Sequence, residues 1–220
     1  MEATTTFRPI LFSTEMVRAI ILGAKDMTRR LYKSRYRILR GFEHEIGSIR
    51  KDGSGDGWVA FHGTVVSAEN AATLYPGNQG FACPYGKVGD VLWVRETWAK
   101  WENGYIYKVD QEKYKKVKWK PSIHMPRAAC RIELKITDIR AERLQDINEA
   151  DAVREGVKRE QSFPFNQWLN YESGIYQLPT AVESFKSLWG EINGKDSWEA
   201  NPFVWAISFE PTFLSERLKF

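Results

Sequence analysis

The sequence holds only two cysteines, Cys83 and Cys130, far apart and outside any CxxC pattern. That excludes a disulfide scaffold and suits a reducing compartment. Histidine is equally scarce: His44, His62 and His124 show no HExxH or His-x-His spacing, so no metal and no cofactor is expected. No run approaches the roughly 20 apolar residues that cross a bilayer, and Met1 to Arg8 lacks the apolar core of a signal peptide. A cytoplasmic protein with no membrane partner is the expectation.

What is present is apolar and aromatic. Hydrophobic residues make up 43% and aromatics 14%, with nine tryptophans, enough in 220 residues to bury a real core. Net charge is only +4, but its distribution is uneven. From Arg18 to Arg40 the basic residues face a single acid, Asp26. A second run, from Lys108 to Lys120, interleaves lysines with Tyr105, Tyr107, Tyr114 and Trp119. Cations track phosphates and aromatic faces stack on bases, so both runs suit a nucleotide or single strand. The second run equally suits a solvated hairpin whose lysines discourage edge pairing.

Local patterns outline the elements. Phe7 to Phe12 reads as a short strand, and Ser13 or Thr14 offers an N-cap to a helix reaching about Leu22, where Gly23 stops it. Met16, Val17, Ile20 and Ile21 form its buried stripe. The pattern weakens between Lys33 and Gly86, where Lys51 to Gly57 and Pro76-Gly77 read as turns. Gly86 to Asp90 forms a tight turn before a strand from Val91 to Trp98. Gly104 to Trp119 reads as a hairpin, and Cys130 to Ile139 as a strand with Ile132, Leu134 and Ile136 on one face.

A helix signature spans Leu144 to Gly156, with Asn148 as N-cap and Glu155 at the end where the helix dipole disfavours an acid unless a cation offsets it. Residues 157–180 look loop-rich. An amphipathic helix from Val182 to Ile192 and a strand from Pro202 to Glu210 complete an α+β arrangement. Short strands among irregular segments favour a small closed or nearly closed barrel.

The sharpest local feature runs from Gly23 to Arg30, with Lys25 and Thr28 three residues apart beside Arg29 and Arg30. Neighbouring positive charge and desolvation both lower a lysine pKa. A neutral Lys25 serves as base or nucleophile, Thr28 donates to an oxyanion, and a carboxylate such as Glu155 relays the proton. The competing reading is a basic turn in which Lys25 merely touches phosphate or solvent.

Ile20 to Arg30 resembles the opening signature of ASCH-domain proteins, relatives of the PUA RNA-binding fold. Gly89 to Val94 resembles their central turn and strand, and Phe203 to Phe209 their closing strand. Residues 83–98 and 119–147 are also similar to phage and prophage proteins. The resemblance implies one domain over 1–220, a small PUA-like barrel with flanking helices and insertions at about 31–83 and 100–128. The superfamily includes a bacterial acetylcytidine amidohydrolase with a lysine, a threonine three positions on and a glutamate near a helix end. These fall on Lys25, Thr28 and Glu155, and a nearby arginine falls on Arg30.

The implied function is binding of nucleic acid, RNA above DNA, or of a modified nucleoside, with hydrolysis of an N4-acylated cytidine as its enzymatic form. A non-catalytic RNA or single-stranded DNA module, a ribonuclease and a phage protein that engages a host partner are the alternatives. Arg29, Arg30, Glu96 and Trp98 are further candidates for substrate contact. Glu96 is expected either to pair with Arg29 or Arg30 or to act as an acid or base. Of Trp93 and Trp98, one is expected in the core and one against a base.

Overall fold

The computed structural model describes residues 5–32, 46–51, 58–62, 83–102, 104–113, 116–161 and 166–214. Along the chain these form β1 (Phe7–Leu11), α1 (Thr14–Ile21), β2 (Met27–Leu31), β3 (Ile46–Lys51), β4 (Trp58–His62) and β5 (Val91–Arg95). A hairpin of β6 (Trp98–Trp101) and β7 (Gly104–Tyr107) precedes the long β8 (Ile132–Arg143) and α2 (Glu149–Arg154). The short β9 (Arg159–Glu160), β10 (Gln167–Asn170) and β11 (Ile175–Leu178) lead to α3 (Ala181–Asn193) and β12 (Phe203–Leu214).

The architecture is α+β. Its centre is a five-stranded sheet in the order β1-β5-β8-β12-β2, with β1 parallel to β5 and the other pairs antiparallel. β8 and β12 run side by side for most of their length, and their register shifts between Ser208 and Phe209 and again between Pro211 and Phe213. Alternation along β8 slips at the first shift. Ile132, Leu134 and Ile136 are buried at spacings of two, but the next buried apolar residue is Ile139. A bulge bends a strand and re-aims the side chains beyond it, so β8 keeps both halves on the core.

Two apolar clusters hold the sheet. Ile10, Phe12, Val17, Ile20, Leu92, Val94, Trp205 and Phe209 pack with the buried face of β8 on one side. Leu144, Ala152, Phe185, Trp189, Trp198 and Val204 form a second cluster under α2 and α3. Caps fix the helices: the Ser13 hydroxyl accepts from the Met16 N–H, and the Asn148 side chain from the Asp151 N–H. The turn before β5 depends on glycine, since Gly86 has φ +116° and a Cβ there would stand 2.6 Å from Asp90 Oδ2.

Three expectations change. The Leu144–Gly156 signature resolves into a single 3-10 turn at Leu144–Asp146 and a shorter α2, because Ile147 and Asn148 stay extended to cap it. The hairpin pairs Trp98–Trp101 with Gly104–Tyr107, and the lysine run beyond it begins as a 3-10 helix. Residues 157–180 carry a small antiparallel sheet, β11-β10-β9, with strands of two to four residues. Of the 31–83 segment, β3 and β4 pair with each other in an antiparallel sheet. Residues 52–57, Pro76-Gly77 and Tyr114 lie outside the described residues. No helix among the described residues is long and apolar enough to cross a membrane.

Candidate functional site

Lys25 follows α1 through a stitched turn. Gly23 adopts φ +71°, and the Ala24 and Lys25 N–H groups both donate to the Ala19 carbonyl. The Asp26 N–H then donates to the Arg154 carbonyl at the end of α2, and the Asp26 carbonyl accepts from the Phe209 N–H of β12. An ion pair of 2.8 Å between Arg154 and Asp26 reinforces the join. These bonds clamp the start of β2 against the C-terminus of α2.

The clamp brings Lys25 onto Glu155. Lys25 Nζ donates to Glu155 Oε2 at 2.8 Å, and to the carbonyl oxygens of Glu155 and Met27 at 2.7 Å each. An ammonium has three N–H donors, and all three are used. Both side chains are buried, Lys25 at 2% and Glu155 at 5% exposure. Burial pushes the Lys25 pKa below its ordinary value, while the Glu155 charge and its hydrogen bond push the other way. Gly156, at φ +84°, lets the two segments meet, since a Cβ there would lie 2.9 Å from that of Lys25 and 3.2 Å from that of Ala19.

Successive residues of β2 face opposite ways. Arg29 points toward the second apolar cluster, its guanidinium 5.9 Å from the Phe185 ring. It pairs with Glu142 at 2.6 Å and Asp151 at 2.8 Å, and reaches Glu155 Oε1 at 3.5 Å. Arg140 also meets Glu142 and Asp151. Three cations, Lys25, Arg29 and Arg140, thus balance three carboxylates, Glu142, Asp151 and Glu155. Arg29 belongs to the framework that holds Glu155.

Thr28 and Arg30 take the other face. Thr28 is buried and lies opposite Ile207. The Arg30 guanidinium lies 5.0 Å from the Phe12 ring and donates to the Leu11 carbonyl at 2.6 Å. Lys25 Nζ sits 6.0 Å from that same ring. Arg30 thus joins β2 to β1, the two outer strands of the sheet, across a seam beside the Lys25–Glu155 pair.

Glu96 and Trp98 belong elsewhere. Glu96 pairs with Arg131 through two hydrogen bonds of 2.8 Å, in place of Arg29 or Arg30. The antiparallel register Val91↔Lys135 and Trp93↔Glu133 carries the end of β5 to the start of β8, and so to Arg131. Arg131 also binds Asp110 at 2.9 Å and stacks 3.8 Å from the Tyr107 ring. Burial raises the Glu96 pKa against the opposing Arg131 charge, and pushes the Tyr107 phenol up to about 12. Trp98 is buried with Met125 and Ala129 and offers no open face to a base. Trp93 is half-buried, with Arg95 and Arg127 on its ring.

Asp151, Glu142, Arg140 and Arg131 carry no clear sign in the sequence of their roles as partners. Arg140 and Glu142 carry a faint signal, two charges at strand spacing on one face of β8. Asp151 stands three residues after the Asn148 N-cap, a position that marks a helix start and no partner. Comparison of the chain with protein-family models, with curated proteins and with solved structures finds no match.

Proposed function

We propose that the chain is an ASCH-type, PUA-like protein of the cytoplasm that binds a modified nucleoside or a single-stranded nucleic acid and hydrolyses the acyl amide of an N4-acylated cytosine. The observation that carries this reading is the buried contact of Lys25 Nζ with Glu155 Oε2 at 2.8 Å, formed across 130 residues of sequence. The Arg30 link between the two outer strands supports the barrel that the reading requires.

The chemistry needs one proton shift within the pair. Passing a proton from Lys25 to Glu155 leaves an amine and a carboxylic acid, a step that burial favours because it removes both charges. The amine takes a proton from water as the water oxygen bonds to the acyl carbon. The Thr28 hydroxyl donates to the resulting oxyanion. Glu155 then gives its proton to the N4 nitrogen as the C–N bond breaks, releasing a carboxylic acid and cytosine and restoring the charged pair.

The test is chromatography of N4-acetylcytidine incubated with the purified protein. Cytidine should appear with the wild type and be lost in Lys25→Met. Substrate left intact at stoichiometric enzyme would overturn the hydrolase.

A second reading, binding without bond cleavage, is favoured by the full use of the Lys25 donors. A lysine so held is a structural clamp. Under that reading Lys25→Met lowers stability and no substrate turns over with any variant.

A further inference from the structure

The outer face of β1 and β5 bears side chains that the seam does not use. In the parallel register Phe7 lies opposite Val91, Pro9 opposite Trp93 and Leu11 opposite Arg95, so these side chains share one side of the sheet. Phe7 is 51% exposed and Leu11 38%, large apolar residues left in water along an outer strand. Ile123, 57% exposed, joins them through its carbonyl, which accepts from Arg95.

Cations and rings alternate across this face. Arg127 lies 5.5 Å from the Phe7 ring and 5.6 Å from the Trp93 ring, and Arg95 lies 5.4 Å from Trp93 on its own strand. Arg127 is tied to Glu133. Arg95 meets no carboxylate among the described residues; its contacts are the Ile123 carbonyl and the Trp93 ring. A guanidinium on a flexible stem that rests on a ring is easily exchanged for the flat face of a base, and once released it is free to meet a phosphate.

The face also leads to the seam. Leu11, opposite Arg95, gives its carbonyl to Arg30, and the next residue, Phe12, lies beneath Lys25. A chain lying along β1 from Phe7 toward Leu11 therefore arrives at the candidate site.

We propose that this face is a track for single-stranded nucleic acid, with bases stacked on Phe7 and Trp93 and phosphates held by Arg95 and Arg127. Resting on the function proposed above, this makes the substrate a base within a strand, where a free nucleoside would leave the track empty. Base stacking on an aromatic side chain tolerates sequence, so the track reads phosphate spacing and π faces.

Fluorescence anisotropy with a labelled oligouridine at low salt tests the track, beside hydrolysis of free N4-acetylcytidine as a separate measurement. The wild type should bind, Phe7→Ala should weaken binding about 10-fold, and Arg95→Gln should reduce the salt slope by about one. Ile175→Ala, an equally exposed apolar residue on β11, should bind like the wild type. Failure of the wild type to bind, or binding indifferent to both Phe7→Ala and Arg95→Gln, overturns the track even if acetylcytidine is hydrolysed. Loss of self-association in Phe7→Ala with no oligonucleotide binding assigns the face to protein contact, and also overturns it. Phe7-dependent binding, with neither free N4-acetylcytidine nor an oligonucleotide carrying that base hydrolysed, leaves the track standing and removes the amidohydrolase.

Discussion

The ammonium of Lys25 and the carboxylate of Glu155 meet at 2.8 Å, and the same ammonium also holds the Glu155 backbone carbonyl at 2.7 Å. One lysine therefore fixes both the side chain and the main chain of the residue that ends α2. Truncating either partner strands a buried charge, which typically costs about 3–5 kcal/mol, whereas removing both costs far less. Lys25→Met and Glu155→Gln should each lower the unfolding midpoint in denaturant, and the double variant should recover part of the loss. Strictly additive effects would show that the pair is not coupled.

Thr28 separates chemistry from packing. Thr28→Val keeps its volume and removes the hydroxyl from a buried position. Under the proposed mechanism, deacylation should fall roughly 100-fold to 1,000-fold, the usual range for one oxyanion donor. An unchanged rate would take Thr28 out of the reaction.

Gly156→Ala should act on the same site through the backbone. Its φ of +84° and the 2.9 Å approach to the Lys25 Cβ leave no room for a methyl group. Strain and overpacking together should cost about 2–4 kcal/mol. A thermal midpoint like that of the wild type would show that the α2 terminus and the Lys25 turn yield freely.

Much of this site could be read from local chemistry. Glu155 stood out because an acid at a helix C-terminus calls for a cation, and Lys25 is that cation. The α1 and α2 caps and the stop at Gly23 were legible for the same reason, since each depends on a few adjacent residues. The partner of Glu96 was not legible, because strand register set it. Arg29 looked like a substrate contact beside Arg30, yet strand alternation sends the two to opposite faces. The β9 to β11 sheet escaped notice because strands of two to four residues carry too little alternation to count.

Arg131→Met should leave Glu96 buried without its counter-ion and the Tyr107 ring without its cation. About 3–5 kcal/mol of stability should be lost in denaturant titration. Restoring neutrality with Glu96→Gln in the same chain should return part of it. No recovery would mean that packing against Tyr107, and not charge, dominates.

Two buried groups set opposite limbs of the stability profile. Burial alone raises the Asp151 pKa, but Arg29 and Arg140 outweigh it and hold the carboxyl below its ordinary 3.8. The unfolded chain then binds more protons than the native one, so this stabilisation is fully present above 3.8 and is lost as pH falls through the native pKa. Lys25, lowered from 10.5, also binds more protons when unfolded, so stability should climb as pH rises from the native pKa toward 10.5. Thermal melts across pH should show Asp151→Asn flattening the acid limb and Lys25→Met the alkaline one. Profiles parallel to the wild type would exclude these groups as the source.

Among the described residues β2 pairs with β12 alone, and Thr28 is set against Ile207. A nascent polypeptide therefore cannot pair β2 until residues 203–214 have been synthesised, and loss of β12 would loosen Lys25 along with β2. Loop closure grows only slowly with length, roughly 0.6 kcal/mol per doubling, so the stretches between the paired strands are free to lengthen at little thermodynamic penalty. The cost falls instead on speed, since contacts so distant in sequence form late.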